Sequence, residues 1–225
     1  MTFPYTALTP IVTYPVALTL RALIDEAVHS SISRAYEGRR QDGFGSCADY
    51  AVVGARVLSL LTKKPYRYVA GGEIVDCGNG VVAVLTTSRQ NRRSVKHLSQ
   101  LSRYHCWIEC KHIVNSESRT ELVDFAVRHD PQIAQTLGLP YDRPEREPFL
   151  WCWRDELAQD LSRSPLKDHP FVLAQRLTCP MWPQAELTRL LRECEQERPH
   201  YFAGLTSTVL TALADRIETA MKLTQ

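Results

Sequence analysis

Three residues that lie far apart in the sequence carry the side chains that nucleophilic attack on a carbonyl requires. Cys47 supplies a thiol, His105 a base, and Asp124 an acid inside an otherwise apolar segment. In such a set the thiolate attacks, the imidazole moves the proton, and the carboxylate fixes the tautomer of the ring. Each residue alone also has an ordinary structural explanation as part of a packed core. Their combination predicts an acyl-transfer site with Cys47, His105 and Asp124 as catalytic residues.

The position of the cysteine at the start of a helix supports this interpretation. A capping box is indicated by the sequence Ser46-Cys47-Ala48-Asp49, and an apolar stripe follows it, which predicts a helix beginning at Ser46. The free N–H groups and the dipole of a helix N-terminus favour a thiolate over a thiol. The backbone N–H of Cys47 is also a candidate donor to the oxyanion that forms during attack.

The other two residues are expected on neighbouring strands. Alternation along the strand after Tyr104 places His105, Trp107 and Glu109 on one face, with the intervening residues on the other. If the next strand pairs with it as a hairpin, the Asp124 carboxylate reaches the His105 ring. The ring nitrogen left over then faces Cys47.

The surrounding pattern predicts an α+β fold in which the helix that carries Cys47 packs on an antiparallel sheet. A single domain, 1–225, is expected, with an N-terminal arm and helix in 1–38, a catalytic core in 39–130 and a helical C-terminal layer in 131–225. Helices are predicted at 16–36, 46–61, 151–162, 184–197 and 205–223. Strands are predicted at 66–69, 81–86, 104–110 and 121–127.

Three short motifs resemble those of the transglutaminase-like superfamily, which has the papain-like cysteine protease fold. They are Gly-Ser-Cys47-Ala-Asp at a helix start, His105-Cys-Trp107-Ile-Glu on a strand and Leu-Val-Asp124-Phe on the next strand. Their order and spacing are similar to those of compact bacterial members. The resemblance implies a thiol hydrolase that cleaves an amide or peptide bond through an acyl-enzyme. A transamidase or acyltransferase with the same triad, or a non-catalytic binding domain on this fold, is the alternative.

The resemblance also implies roles for two further residues. Papain-type enzymes carry a glutamine six residues before the nucleophile, and Gln41 stands in that position here, so it is a candidate oxyanion donor. Trp107, two residues after the histidine, is a candidate substrate-binding residue. The sequence departs from the family at Cys106, which replaces the usual small alanine between the histidine and the tryptophan.

Composition and charge favour some partners and compartments over others. The formal net charge of +2 gives no reason to expect nucleic acid as a partner, and the basic residues from Arg89 to Lys96 are interpreted as a solvated loop. Seven cysteines without C-x-x-C spacing indicate a reducing cytoplasm rather than a disulfide framework. The first 20 residues are uncharged but contain three prolines, which predicts an extended arm rather than a signal peptide or membrane span. The expected partner is a peptide, protein or other amide-containing substrate.

A metal centre is the competing interpretation of part of the same region. Cys106, Cys110 and His112 share one strand face, and their side chains are ligands that zinc accepts. No second pair at zinc-finger spacing accompanies them, and residues this far along one strand are too widely spaced to chelate one ion. We therefore expect no metal and no cofactor.

Overall fold

The computed structural model describes residues 15–38, 43–144 and 147–223, and it is α+β with an antiparallel sheet, as predicted. The helices are α1 (Leu18–Ala35), α2 (Cys47–Thr62), α3 (Arg89–Ser94), α4 (Asp130–Thr136), α5 (Arg154–Arg163), α6 (Pro170–Gln175), α7 (Ala185–Glu197) and α8 (Pro199–Leu223). The strands are β1 (Arg67–Gly78), β2 (Val81–Leu85), β3 (His105–Val114), β4 (Glu117–Asp124), β5 (Leu150–Trp153) and β6 (Met181–Pro183). The expected N-terminal arm falls largely within residues 1–14, outside the described residues.

The sheet has six strands in the order β2-β1-β3-β4-β5, with β6 paired to β1. All five pairings are antiparallel. The hairpin between β3 and β4 confirms the predicted pairing of these two segments, with Ile108 opposite Val123. This hairpin brings the beginning of β3 and the end of β4 to the same end of the sheet.

The first strand is much longer than the sequence pattern indicated. Gly71 and Gly72 look like a chain break, but the strand continues through them as far as Gly78. The reason is tertiary, since β6 crosses at this point and pairs Gly72 with Trp182. A side chain at either glycine would collide with Trp182. The glycines therefore allow close packing of two strands rather than a turn.

The segment predicted as a helix at 151–162 begins instead as a strand. Leu150–Trp153 pairs with β4, and the helix α5 starts only at Arg154. Trp151 is held in the sheet by a hydrogen bond from its indole Nε1 to Glu121, at 2.8 Å. The partner strand, which lies far away in sequence, overrides the local helical pattern.

The helix that carries Cys47 is the central helix of the core. One face of α2 packs on β3, and the opposite surface packs against α1 and α8. Close approach to the sheet depends on Gly54, where an added Cβ would lie 2.6 Å from Ile108 and 2.8 Å from Phe125. Because α2 is buried on several sides, its first residue is held firmly relative to the sheet.

The basic segment expected to be a loop forms the short helix α3. The guanidinium groups of Arg92 and Arg93 lie within ion-pair distance of Glu186 on α7. This cluster therefore has a structural role in fastening α3 to α7. Among the described helices, none is both long enough and apolar enough to cross a membrane.

Candidate functional site

His105 and Asp124 are in direct contact at the end of the β3–β4 hairpin. The Nε2 atom of the ring lies 2.6 Å from Oδ2 of Asp124, and both side chains are buried. The other carboxylate oxygen of Asp124 accepts a hydrogen bond from the backbone N–H of Ala126, at 2.8 Å. Asp124 thus ends the strand, fixes the following turn and holds one side of the ring.

A second carboxylate, which the sequence analysis did not single out, meets the other side of the ring. Glu73 on β1 is 5% exposed, and its Oε2 lies 3.3 Å from Nδ1 of His105. The pairing of β1 with β3 places Gly71 opposite His105, and Glu73 follows two residues later on the same strand. The sequence did contain a signal for Glu73, which is an acidic residue directly before two β-branched residues. The two glycines before it look like the end of a strand, so the segment was not predicted to belong to the sheet.

Two flanking carboxylates make His105 a stable cation. Burial by itself lowers the pKa of the ring, but the charges of Asp124 and Glu73 outweigh it and raise the pKa to about 10. The nearby Cys47 contributes in the same direction. At neutral pH both ring nitrogens therefore carry protons, one facing each carboxylate.

Cys47 is the first residue of α2, as predicted, and its side chain is half-buried. A hydrogen bond with the thiol of Cys106 is the largest influence on it and lowers the pKa of Cys47. Burial opposes this effect, while the positive charge of His105 adds to it. Cys106 lies on the face of β3 that packs against α2, in contact with the candidate nucleophile.

The pKa values of the six other cysteines are shifted in the opposite direction from that of Cys47. Burial is the first cause in each, and it raises the pKa of all six, which are Cys77, Cys106, Cys110, Cys152, Cys179 and Cys194. A raised pKa means an uncharged, slowly reacting thiol at neutral pH. Cys47 is thus the thiol for which ionisation is favoured.

The start of α2 is held differently from the predicted capping box. Ser46 occupies the N-cap position, but its side chain makes no cap hydrogen bond. Asp49 does not close a box, because its Oδ2 instead accepts hydrogen bonds from the hydroxyls of Tyr36 and Tyr201, both at 2.6 Å. The first turn is therefore fixed by α8 and by the residue after α1 rather than by its own cap.

The two other candidate site residues have different outcomes. Gln41 lies outside the described residues. Trp107 is fully buried, its ring stacks beside that of His105 at 6.3 Å between centroids, and its Nε1 donates to Glu109 at 2.7 Å. A side chain without exposed surface has no face for a substrate to contact. Trp107 is therefore placed as a packing partner of His105.

One group of described residues has ligand atoms close enough together to suggest a metal ion, namely Glu73, His105 and Asp124, within 4.8 Å of one another. The two carboxylates meet opposite nitrogens of the ring, whose lone pairs point away from each other. A protonated ring between two carboxylates accounts for the same geometry, since both ring nitrogens lie within ion-pair distance of a carboxylate oxygen. In the described part of the chain, the set Cys106, Cys110 and His112 does not form such a group.

A cavity of about 820 Å³ lies next to this cluster. Glu73 is part of its wall, together with apolar side chains that include Trp151, Leu161 and Met181. Cys47 and His105 are not among the residues that line it. Glu73 is thus the residue of the cluster that contacts both His105 and the cavity.

Comparison with known proteins leaves the family open. No family model matches the chain, and no curated protein matches it. A solved structure described as genomics APC5867 aligns with 86% of this chain and 78% of its own, at 13% identity and a TM-score of 0.41. A TM-score of 0.41 does not establish a shared fold.

Proposed function

We propose that this protein is a cysteine-dependent acyl-transfer enzyme of the papain-like, transglutaminase-like type, which hydrolyses an amide or peptide bond. The observation that carries the proposal is the placement of the three residues. Cys47 is the first residue of α2, and His105 lies 2.6 Å from Asp124 on the β3–β4 hairpin, whose strand β3 packs against α2. The positive charge of His105 contributes to the lowered pKa of Cys47, which agrees with this placement.

The proposed reaction begins with Cys47 as thiolate and His105 as imidazolium. The sulfur attacks the carbonyl carbon, and the oxyanion that forms is stabilised by the backbone N–H of Cys47, which belongs to the first turn of α2. His105 releases its Nδ1 proton to the leaving nitrogen as the C–N bond breaks. Asp124 keeps Nε2 protonated throughout, so Nδ1 is the nitrogen that exchanges the proton.

Water completes the cycle by attacking the thioester. The neutral ring of His105 takes a proton from the water at Nδ1, and the sulfur of Cys47 leaves as thiolate. The products are a carboxylic acid and an amine, and the imidazolium–thiolate pair is restored. If an amine reaches the thioester before water does, the same residues perform transamidation.

The proposal is tested by trapping the acyl-enzyme. After incubation with p-nitrophenyl acetate, intact mass and peptide mapping are expected to show one acetyl group on Cys47. Cys47→Ser and His105→Ala are expected to remain unlabelled. Glycine ethyl ester is then added as an amine that competes with water for the thioester. If the adduct decays at the same rate with and without this amine, the enzyme is a hydrolase, and if N-acetylglycine ethyl ester forms, it is a transferase. Absence of any adduct on Cys47 in the folded protein would instead favour a binding domain in which these residues form a satisfied polar network.

A further inference from the structure

Glu73 occupies a place in the cluster that the three-residue mechanism does not use. Its Oε2 faces Nδ1 of His105, which is the nitrogen that must exchange a proton with the sulfur or the leaving group. The charged group facing His105 from β4 is Asp124, that from β1 is Glu73, and that from α2 is Cys47. Of these groups, Glu73 is the one at Nδ1 and Asp124 is the one at Nε2.

The sheet fixes the backbone position of Glu73. β1 is paired with β3 through residues 67–71, with β6 through 71–73 and with β2 through 73–78, so its backbone cannot move independently. The side chain is buried, and burial strengthens its interaction with the ring charge. A buried glutamate costs free energy unless it faces a cation, and the His105 ring lies beside this one.

We propose that Glu73 is a positioning residue of the reaction centre, which holds the Nδ1 proton of His105 in the resting enzyme and keeps the ring cationic beside Cys47. The inference rests on the proposed function for its catalytic consequence. Glu73 acts through His105, whose Nδ1 it faces. It also connects the ring to the cavity, because it forms part of the cavity wall.

The two carboxylates therefore have different roles, one at each ring nitrogen of His105. Asp124 fixes Nε2 and therefore the orientation of the ring. Glu73 stabilises the proton on Nδ1 until attack converts the thiolate into a neutral thioether, after which the proton can leave for the amine. Removal of the Glu73 charge should leave the ring in place but make it a stronger acid.

The test compares Glu73→Gln with the wild-type protein and with Glu121→Gln. Glutamine keeps the shape and an acceptor oxygen while removing the charge. Glu121 is a matched control, since it is also a buried glutamate that contacts a histidine, but its partner is His112, at 3.2 Å. Ring ¹⁵N and ¹H NMR resonances of His105, assigned with His105→Gln, are followed from about pH 6 upward.

In the wild-type protein His105 is expected to carry protons on both nitrogens at about pH 8, well above the ordinary range of histidine. In Glu73→Gln it is expected to lose a proton at a pH lower by about one unit or more, and the alkaline limb of Cys47 acylation moves with it. Glu121→Gln should match the wild type. A neutral His105 ring at about pH 8 in the wild-type protein would overturn the inference without requiring any variant to fold.

The two proposals fail in different ways. A shifted His105 titration in Glu73→Gln, with Cys47 unreactive in every variant, supports the role of Glu73 toward the ring and contradicts the acyl-transfer reaction. An acylated Cys47 with identical His105 titrations in wild type and Glu73→Gln supports the reaction and contradicts the role of Glu73.

Discussion

Oε2 of Glu73 lies 3.3 Å from Nδ1 of His105, on the side of the ring opposite the 2.6 Å contact between Nε2 and Asp124. The ring is therefore enclosed by acceptors at both of its proton-bearing atoms. In a resting enzyme that uses an ion pair, this arrangement separates two tasks that one carboxylate usually performs. One acid orients the ring and the other stabilises its charge.

Substitution of Asp124 by asparagine tests the orienting role. The amide retains an oxygen that can accept from the N–H of Ala126, so the turn and the fold should persist. The rate of Cys47 acylation is expected to fall by about three to four orders of magnitude, because the ring loses the acceptor that fixes its tautomer. Acylation kinetics together with thermal unfolding measure both parts. A folded Asp124→Asn variant with the wild-type rate would remove Asp124 from the mechanism.

The contact between Cys106 and Cys47 predicts an effect on the reactivity of the nucleophile. Cys106→Ala removes the hydrogen bond that lowers the pKa of Cys47 most, so the apparent pKa of Cys47 should rise by about one pH unit. The pH dependence of alkylation by iodoacetamide measures it. Cys110→Ala is the control on the same strand face, since that thiol faces the carbonyl of Lys111 instead. Equal pH profiles for the two variants would contradict the assignment.

Two substitutions at the start of α2 test whether this turn is held by a capping box or by the hydrogen bonds that Asp49 accepts. Ser46→Ala should cost less than about 0.5 kcal/mol of unfolding free energy, below the roughly 1 kcal/mol typical of an N-cap, because Ser46 makes no cap hydrogen bond. Asp49→Ala should cost about 2 kcal/mol or more, because the hydroxyls of Tyr36 and Tyr201 lose their acceptor. Urea unfolding measures both. A larger loss of unfolding free energy in Ser46→Ala than in Asp49→Ala would show that Ser46 caps the helix.

The crossing of β1 and β6 predicts strong sensitivity at Gly71. Its Cβ in Gly71→Ala would collide with the backbone carbonyl of Trp182, which cannot rotate away, so we expect a loss of about 2 kcal/mol or more of unfolding free energy. Gly204→Ala is the matched control, since no atom lies within 4 Å of its added Cβ on helix α8. That variant should gain about 0.5 to 1 kcal/mol. Tolerance of alanine at Gly71 would show that the strands are not packed so closely.

Local signals in the sequence predicted much of the α+β framework. The period of α1 and α2, the alternation along β3 and the pairing of β3 with β4 depend on residues within or adjacent to each segment. The contact between His105 and Asp124 followed from that hairpin. The full length of β1 did not, because the reason for its glycines is Trp182, which lies more than a hundred residues away.

The same limit explains the missing members of the candidate site. Glu73 lies next to His105 because β1 pairs with β3, and no sequence motif predicts that pairing. The two glycines before Glu73 also look like the end of a strand. The role of Asp49 depends on Tyr201 from the last helix, so the local pattern suggested a cap instead. Trp107 was assigned from its spacing to the histidine, and spacing does not determine burial.

Selective alkylation at about pH 6, where unperturbed thiols are almost wholly protonated, tests whether Cys47 is an ionised nucleophile paired with His105. The folded protein is treated briefly with iodoacetamide, and all seven cysteines are mapped by mass spectrometry. We expect Cys47 alone to be modified, and we expect His105→Ala to slow its modification to the rate of the other cysteines. Modification of Cys47 no faster than that of the other cysteines would contradict it.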